Sequence, residues 1–287
     1  MSDPIHISSE ALSVTVAAMG AELQSLRLND AELLWQGDPA WWNGRAPLLF
    51  PIVGLARDDK LAFAGDVFHM PKHGFARRTL FDLAAADDTS CRHVLRDSTA
   101  TRACFPFAFE LAAIHRVEGA TLTEAVEITN RDLRPMPFGF GFHPAFNLPP
   151  AGASGSAAVT LSNGGAPALA RLRDGLLGAD RLPSPFTMGH LDITPDLFED
   201  DALIFPDGAG DALTLTFETG PRLHFTFENL PNLAIWQKVG APFLCIEPWH
   251  GTAGAHGGSA QMADRPWTVI LDPGDTARFA WSVTAQG

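Results

Sequence analysis

Apolar and polar residues alternate in many short segments of the chain, a period of two that is typical of strands with one buried face. Residues 13–16 and 22–28 alternate in this way on either side of a Met-Gly turn, which predicts two strands. Residues 213–217 and 223–227 alternate around Glu-Thr-Gly-Pro at 218–221, where glycine and proline favour a turn. The pattern therefore predicts a β-hairpin at this position.

The end of the chain continues the same pattern. Residues 268–271 and 277–283 flank Asp-Pro-Gly-Asp at 272–275, and we expect two strands with a turn between them. No sustained period of 3.6 residues is present, and the 22 prolines and 26 glycines interrupt the chain too often for long helices. The sequence therefore predicts an all-β sandwich.

Small residues and glycines dominate residues 149–170, which is typical of a loop or an interdomain linker. The sequence on both sides has the same alternating character, so we interpret the segment as a surface loop. All-β units of about 200–250 residues are common. We therefore predict a single domain over residues 1–287.

Composition and charge limit the classes of function. Hydrophobic residues make up 46% of the 287 residues and charged residues 18%, as expected for a globular protein with a large core. The net charge of −13 opposes binding to nucleic acid. No apolar stretch reaches the roughly 20 residues that span a membrane, and the amino-terminal sequence lacks a secretory signal pattern. We expect a cytoplasmic protein without nucleic-acid or membrane partners.

The cysteines and histidines do not form a recognisable local metal motif. Cys91, Cys104 and Cys245 are odd in number and widely spaced, which favours reduced thiols over disulfides or a zinc knuckle. His250 and His256 lie in a glycine-rich segment that is interpreted as a loop. We therefore predict no metal and no cofactor.

Three segments interrupt the alternation with polar, aromatic and glycine residues. They are residues 72–78, 138–148 and 243–251. The third is an apolar strand that ends in Glu247, and burial of a carboxylate without a partner is costly. Such a group indicates either a functional site or a structural ion pair, here with Arg45 or Arg77.

Five ordered motifs follow one another along the chain, three of them within these segments: APLLFPIVG at 46–54, HGFAR at 73–77, GFHPAF at 141–146, DALIF at 201–205 and CIEPW at 245–249. Together they resemble the aldose 1-epimerase (galactose mutarotase-like) family, most closely its LacX-like branch. The resemblance covers nearly the whole chain. It implies a large antiparallel β-sandwich with an open cleft for a monosaccharide, in agreement with the period of two.

The resemblance also implies the roles of individual residues. His143 corresponds to the general acid and Glu247 to the general base that interconvert the α and β anomers of an aldose. The implied sugar contacts are His73, Asp201, Arg45 and Arg77. Opening the hemiacetal ring requires one group that removes a proton from the C1 hydroxyl and another that protonates the ring oxygen. We expect a histidine cation and a glutamate anion, each supporting the charge of the other.

Several alternatives fit the same residues. A non-catalytic carbohydrate-binding protein has the same fold, because fold does not determine function. A hexose-phosphate mutarotase is the other alternative, with Arg45, Arg77 and Arg78 as phosphate ligands. Trp249 or Phe142 fits either a sugar-stacking surface or the core. The sequence is compatible with several aldoses and with a monomer or a homodimer.

Overall fold

The computed structural model describes residues 3–286, so the outermost residues of the predicted domain lie outside the described range. The first strands are β1 (Ile5–Ser8), β2 (Leu12–Val16), β3 (Leu23–Leu28), β4 (Ala31–Glu32), β5 (Leu48–Leu49), β6 (Lys60–Phe63), β7 (Asp66–His69), β8 (Asp82–Ala86), β9 (Ser90–Arg96), β10 (Phe109–Glu118), β11 (Thr121–Asn130), β12 (Met136–Phe138) and β13 (Phe140–Phe142). They are followed by β14 (Ala145–Asn147), β15 (Ser154–Leu161), β16 (Leu172–Arg173), β17 (Leu176–Leu177), β18 (His190–Ile193), β19 (Leu203–Phe205), β20 (Ala212–Thr219), β21 (Arg222–Glu228), β22 (Asn232–Trp236), β23 (Phe243–His250), β24 (Val269–Leu271) and β25 (Thr276–Gln286).

Helices are few and short, as the prolines and glycines predict. The α-helix α1 covers Thr99–Arg102. The 3-10 helices are Arg57–Asp59, Ala76–Arg78, Pro195–Phe198 and Met262–Asp264. Within residues 3–286, no helix is long and apolar enough to cross a membrane.

Two large antiparallel sheets dominate the fold and confirm the predicted all-β sandwich. One has nine strands in the order β18-β15-β20-β21-β25-β11-β10-β9-β8. The other has the order β19-β22-β23-β13-β5, with β14 also paired to β23. Aromatic rings join the two sheets: Phe140 lies 5.1 Å from Phe279, and Phe146 lies 5.0 Å from Phe225, between ring centroids. A smaller sheet of β1 to β4 completes the core.

The predicted local pairings are confirmed in part. Strands β2 and β3 are antiparallel neighbours, and β20 and β21 form the predicted hairpin, with Leu213 opposite Phe225. The two predicted strands near the end of the chain also form. They belong to different sheets, because β24 pairs with β12, whereas β25 lies between β21 and β11.

The predicted surface loop at residues 149–170 is wrong over Ser154–Leu161, which is strand β15 of the nine-stranded sheet. Ala157, Val159 and Leu161 alternate into the core, while the residues between them are partly exposed. The small side chains and glycines of this segment make its period of two hard to recognise. Pairing with β20 stabilises the strand although its local β-propensity is low.

Strand β23 connects the core to the candidate site. Leu244 and Ile246 pack in the main core, whereas the alternate residues Cys245, Glu247 and Trp249 face the opposite side of the sheet. The period of two therefore places the carboxylate on a face that the core does not fill.

Candidate active site

A cavity of about 180 Å³ opens on this outer face of β23. Polar and charged side chains from four distant segments line it: Lys72, His73, Arg77, His143, Asp201 and Glu247. Three tryptophans supply much of the apolar lining: Trp42, Trp236 and Trp249. The structure therefore brings together five of the six predicted site residues.

The register of β13 and β14 against β23 brings His143 to Glu247. Gly141 is opposite Trp249 and Ala145 is opposite Cys245, so His143, midway between them, lies opposite Glu247. His143 Nε2 is 3.2 Å from Glu247 Oε2. The two residues are only 7% and 2% exposed. Their separation allows direct proton exchange.

Burial shifts the pKa values of His143 and Glu247 in the directions that favour the neutral form of each side chain. It lowers the pKa of His143 to about 3, and the nearby positive charges of Arg77 and Lys72 add to the shift. Burial raises the pKa of Glu247 well above its ordinary value. Both shifts oppose the histidine cation and glutamate anion expected from the sequence, because desolvation penalises each charge. A neutral pair that shares one proton between Nε2 and Oε2 fits both directions.

His73 is fixed in one orientation by an unusual backbone. It has φ of +65° and precedes Gly74, which also has positive φ. The backbone N–H of Gly54 donates a hydrogen bond to His73 Nδ1 at 3.1 Å. Burial, the neighbouring His143 and three cationic side chains hold the pKa of His73 well below its ordinary value. The ring is therefore neutral, with its proton on Nε2.

Asp201 reaches the cavity from a loop that Arg171 holds in place. Its backbone has φ of +66°. The Arg171 guanidinium donates to the backbone carbonyls of Leu197, Asp201 and Ala202, at 2.9, 2.8 and 3.1 Å. This clamp orders the segment between the 3-10 helix Pro195–Phe198 and β19. Neither the loop nor the clamp has a signature in the sequence.

The arginines predicted to contact a sugar are placed differently. Arg77 lines the cavity, and its Nη2 donates to the carbonyl of Lys72 at 2.9 Å. Arg45 is not among the lining residues, and its Nη1 donates to Gln24 Oε1 at 2.5 Å. The structure thus does not bring Arg45 to the cavity with the other predicted contacts. Lys72 also lines the cavity; it belongs to the segment 72–78 noted in the sequence but was not among the predicted sugar contacts.

The aromatic lining was only partly predictable. Of the two aromatic candidates, Trp249 lines the cavity, while Phe142 packs against Trp281 in the core. Sequence reasoning missed Trp42, which stacks on His143 with ring centroids 4.9 Å apart, and Trp236, which meets the same ring edge-on. Gly44 lies against Trp42, since a Cβ at this position would lie 2.4 Å from the indole ring.

His143, Cys245 and Glu247 also place potential metal-ligand atoms within 4.8 Å of one another. Burial and the Glu247 carboxylate raise the pKa of the Cys245 thiol well above its ordinary value. A protonated thiol is a poor metal ligand, because metals bind the thiolate. The Cys245 side chain packs with Trp35 and Phe243 as an apolar neighbour of Glu247.

The sequence of residues 3–259 matches the aldose 1-epimerase family. The chain belongs to this family. Protein LacX (plasmid) of Lactococcus lactis subsp. lactis is 28% identical over 297 aligned residues, which cover 98% of each chain. The fold of this family member is also similar to solved structures. A galactose mutarotase related enzyme from Lactobacillus acidophilus superimposes with a TM-score of 0.94 at 29% identity, covering 99% of this chain and 97% of the other.

A galactose mutarotase-like protein from Lactobacillus casei superimposes with a TM-score of 0.92 at 26% identity, covering 99% of this chain and all of the other. These similarities extend over 98–99% of the chain. The resemblance to the LacX-like branch is thereby confirmed.

Proposed function

We propose that the protein is an aldose 1-epimerase that interconverts the α and β anomers of a monosaccharide. The observation that carries this proposal is the buried pair of His143 and Glu247, 3.2 Å apart in one cavity. A group that accepts a proton and a group that donates one are the minimal requirement of ring opening. A protein that only binds carbohydrate needs neither.

In the proposed reaction, the pair of His143 and Glu247 accepts one proton from the sugar and donates one proton to it. Transfer of the shared proton from Glu247 to His143 creates a base and an acid together. Glu247 then removes the proton of the C1 hydroxyl, the bond between C1 and the ring oxygen breaks, and His143 protonates that oxygen. The aldehyde forms, the C1–C2 bond rotates, and the reverse steps close the ring on the other face of C1. Each positioned group contributes about 10²–10⁴ in rate.

The other lining residues are suited to hold the sugar. His73 presents an Nε2–H, because Gly54 occupies its Nδ1, and this proton is available to a hydroxyl or ring oxygen. Asp201 is an acceptor for sugar hydroxyls. The tryptophan rings offer flat apolar surfaces to the C–H face of a pyranose. We include His73, Asp201 and Arg77 in the proposed binding site.

A sugar phosphate is the second candidate substrate. Lys72 and Arg77 both line the cavity and are positively charged, so an anionic group on the sugar would find partners there. Arg45 and Arg78, which the sequence suggested as further phosphate ligands, are not among the lining residues. The cavity therefore supplies two cations for this task.

Polarimetry tests the proposal. The optical rotation of freshly dissolved α-anomers, free and phosphorylated, should relax faster with the protein than without it. Glu247→Gln and His143→Asn should each lower kcat by at least about 10²-fold, because each removes one proton-transfer group. Glu10→Gln and His190→Asn are matched controls at exposed positions outside the cavity.

Near-normal turnover in either cavity variant would refute the acid–base assignment. Saturable binding of aldoses without any acceleration by the wild-type protein would favour the carbohydrate-binding alternative. Acceleration limited to the phosphorylated sugars would identify the phosphate ester as the substrate.

A further inference from the structure

A row of buried polar side chains crosses four adjacent strands of the nine-stranded sheet. Cys91 on β9 is directly opposite His115 on β10. His115 is opposite Glu124 on β11, and Glu124 is opposite Trp281 on β25. His93 follows Cys91 by two residues and therefore shares its face of β9. These residues do not line the active-site cavity, and the proposed mechanism does not use them.

The row contains polar atoms that lack hydrogen-bond partners. His93 and His115 are 1% and 0% exposed. Within the described residues, His93 Nδ1 and His115 Nδ1 make no hydrogen bond, whereas His115 Nε2 and Glu124 Oε1 lie 3.2 Å apart and pair with each other. An unsatisfied buried polar atom costs about 1–3 kcal/mol, and native proteins contain few of them. A bound cation would satisfy both of these nitrogens at once.

The donor atoms are arranged for a single ion. Cys91 Sγ, one nitrogen of His93 and one nitrogen of His115 all lie within 4.8 Å of one another. Ligand atoms around tetrahedral zinc are about 3.3–3.6 Å apart, as follows from Zn–N and Zn–S bond lengths, so small side-chain rotations close the difference. We propose that Cys91, His93 and His115 bind one zinc ion that links β9 to β10.

Glu124 is placed to orient the central ligand. Its Oε1 lies 3.2 Å from His115 Nε2, and its Oε2 accepts a hydrogen bond from Trp281 Nε1 at 3.0 Å. A carboxylate behind a metal-bound histidine fixes the ring tautomer and orientation. His115 would thus bind zinc through Nδ1 and donate its Nε2–H to Glu124, which assigns a partner to both ring nitrogens.

The charges of the filled site balance. Zinc binding displaces two protons to solvent, the thiol proton of Cys91 and, from a protonated His115, the Nδ1 proton, because metals bind the deprotonated ligands. The thiolate and the Glu124 carboxylate together offset the two positive charges of zinc, so no net charge is buried. His93 lies beside Cys91 and His115 and offers a ring nitrogen as the third ligand.

The alternative to a metal is a proton. Burial disfavours a charge on His115, but the Glu124 carboxylate and hydrogen bonding raise its pKa to about 9. The metal-free row would then be a buried histidine–glutamate ion pair. That arrangement leaves the unpartnered His93 Nδ1 unexplained, whereas zinc accounts for the cysteine and both histidines.

Metal analysis of the protein decides between a bound zinc ion and a buried histidine–glutamate ion pair. After expression in zinc-supplemented medium, plasma mass spectrometry should find about one zinc per chain, as a single site implies. Cys91→Ser and His93→Ala should lose the zinc. Cys245→Ser and His143→Asn are matched controls, since they remove potential ligands of the active-site cluster, and they should retain it. Glu124→Gln should retain the ligands but weaken zinc binding by about 10–100-fold.

Cobalt provides a second test, in which the decisive sample is the wild-type protein. Wild-type protein and Cys245→Ser refolded with Co²⁺ should both show thiolate-to-cobalt charge-transfer absorption in the near ultraviolet. Folded wild-type protein without stoichiometric zinc and without that absorption would overturn the proposal. Zinc that is lost from His143→Asn but kept by Cys91→Ser would overturn it as well, by locating the metal in the active-site cavity.

Discussion

At the scale of single residues, the chemistry depends on where the protein excludes water. His143 and Glu247 are both almost fully buried, and each would bear its charge without compensation from solvent. Desolvation therefore separates the two pKa values in opposite directions, lowering that of histidine and raising that of glutamate. We expect two groups this close to titrate as one unit, and the two shifts favour the state with a single shared proton.

This coupling predicts a flat pH profile. Below the pKa of His143, about 3, the pair gains a second proton and loses its base. Above the raised pKa of Glu247 the pair loses the shared proton and with it the acid. We expect kcat/KM to stay level from pH 5 to pH 7, after subtraction of the uncatalysed mutarotation. An ordinary histidine would instead produce a step near 6.5, and such a step in a protein that remains folded would contradict the shared-proton pair.

At the scale of elements, the loop between β7 and the 3-10 helix Ala76–Arg78 positions His73 through a close backbone contact. A Cβ on Gly74 would lie 2.1 Å from the carbonyl oxygen of Phe50, and φ at this position is +70°. The residue therefore has to be glycine for two independent reasons. The loop gains its shape from contact with Phe50, not from its own sequence preferences.

A comparison of Gly74→Ala with Gly65→Ala separates the effect of positive φ from the effect of the close contact with Phe50. Gly65 also has positive φ, but no atom lies within 4 Å of its added Cβ. Gly65→Ala should lower the free energy of unfolding by about 1–2 kcal/mol, the cost of the left-handed conformation. Gly74→Ala should lower it by about 1–3 kcal/mol more, because of the steric overlap, and only this variant should lose mutarotase activity. Urea unfolding and polarimetry measure both. Equal behaviour of the two variants would show that the contact with Phe50 does not hold His73.

Strands could be predicted from the sequence where the alternation of apolar and polar residues is strong. Alternating segments of large apolar residues, such as β20 and β21, were found from sequence, whereas β15, with alanines and glycine, was not. The partners of β24 and β25 depend on tertiary contacts that no local pattern encodes. The spacing of Cys91 and His93 by two residues on one strand was a visible signal of a shared face. The remaining ligand, His115, joins them only through strand pairing.

The residues of the candidate site could be predicted where they lie in a short, recognisable motif. His143 and Glu247 lie in such motifs, and their approach follows from the register of β14 and β13 with β23. Trp42 and Trp236 were missed because a tryptophan in a cavity and a tryptophan in a core have the same local sequence character. The charge state of the pair depends on burial that the sequence does not specify, and burial opposes the cation and anion expected from the sequence.

At the scale of the whole molecule, the last strand lies in the middle of the largest sheet. β25 is hydrogen-bonded to β21 on one side and to β11 on the other. The main core contains Ile7 near one end of the chain and Ala285 near the other. Segments far apart in sequence therefore depend on the same packing, which supports the proposal that the chain is one domain.

One domain predicts one unfolding transition. Tryptophans report on two separate regions, Trp281 between the sheets and Trp42 and Trp236 at the cavity. In urea at constant zinc, tryptophan fluorescence and far-ultraviolet circular dichroism should change at the same midpoint, as cooperative unfolding requires. A chain that ends before Thr276 lacks β25 and should not fold, because β21 and β11 are then left without their shared neighbour. Two separated transitions, or a stably folded truncated chain, would show instead that part of the sandwich is an independent unit.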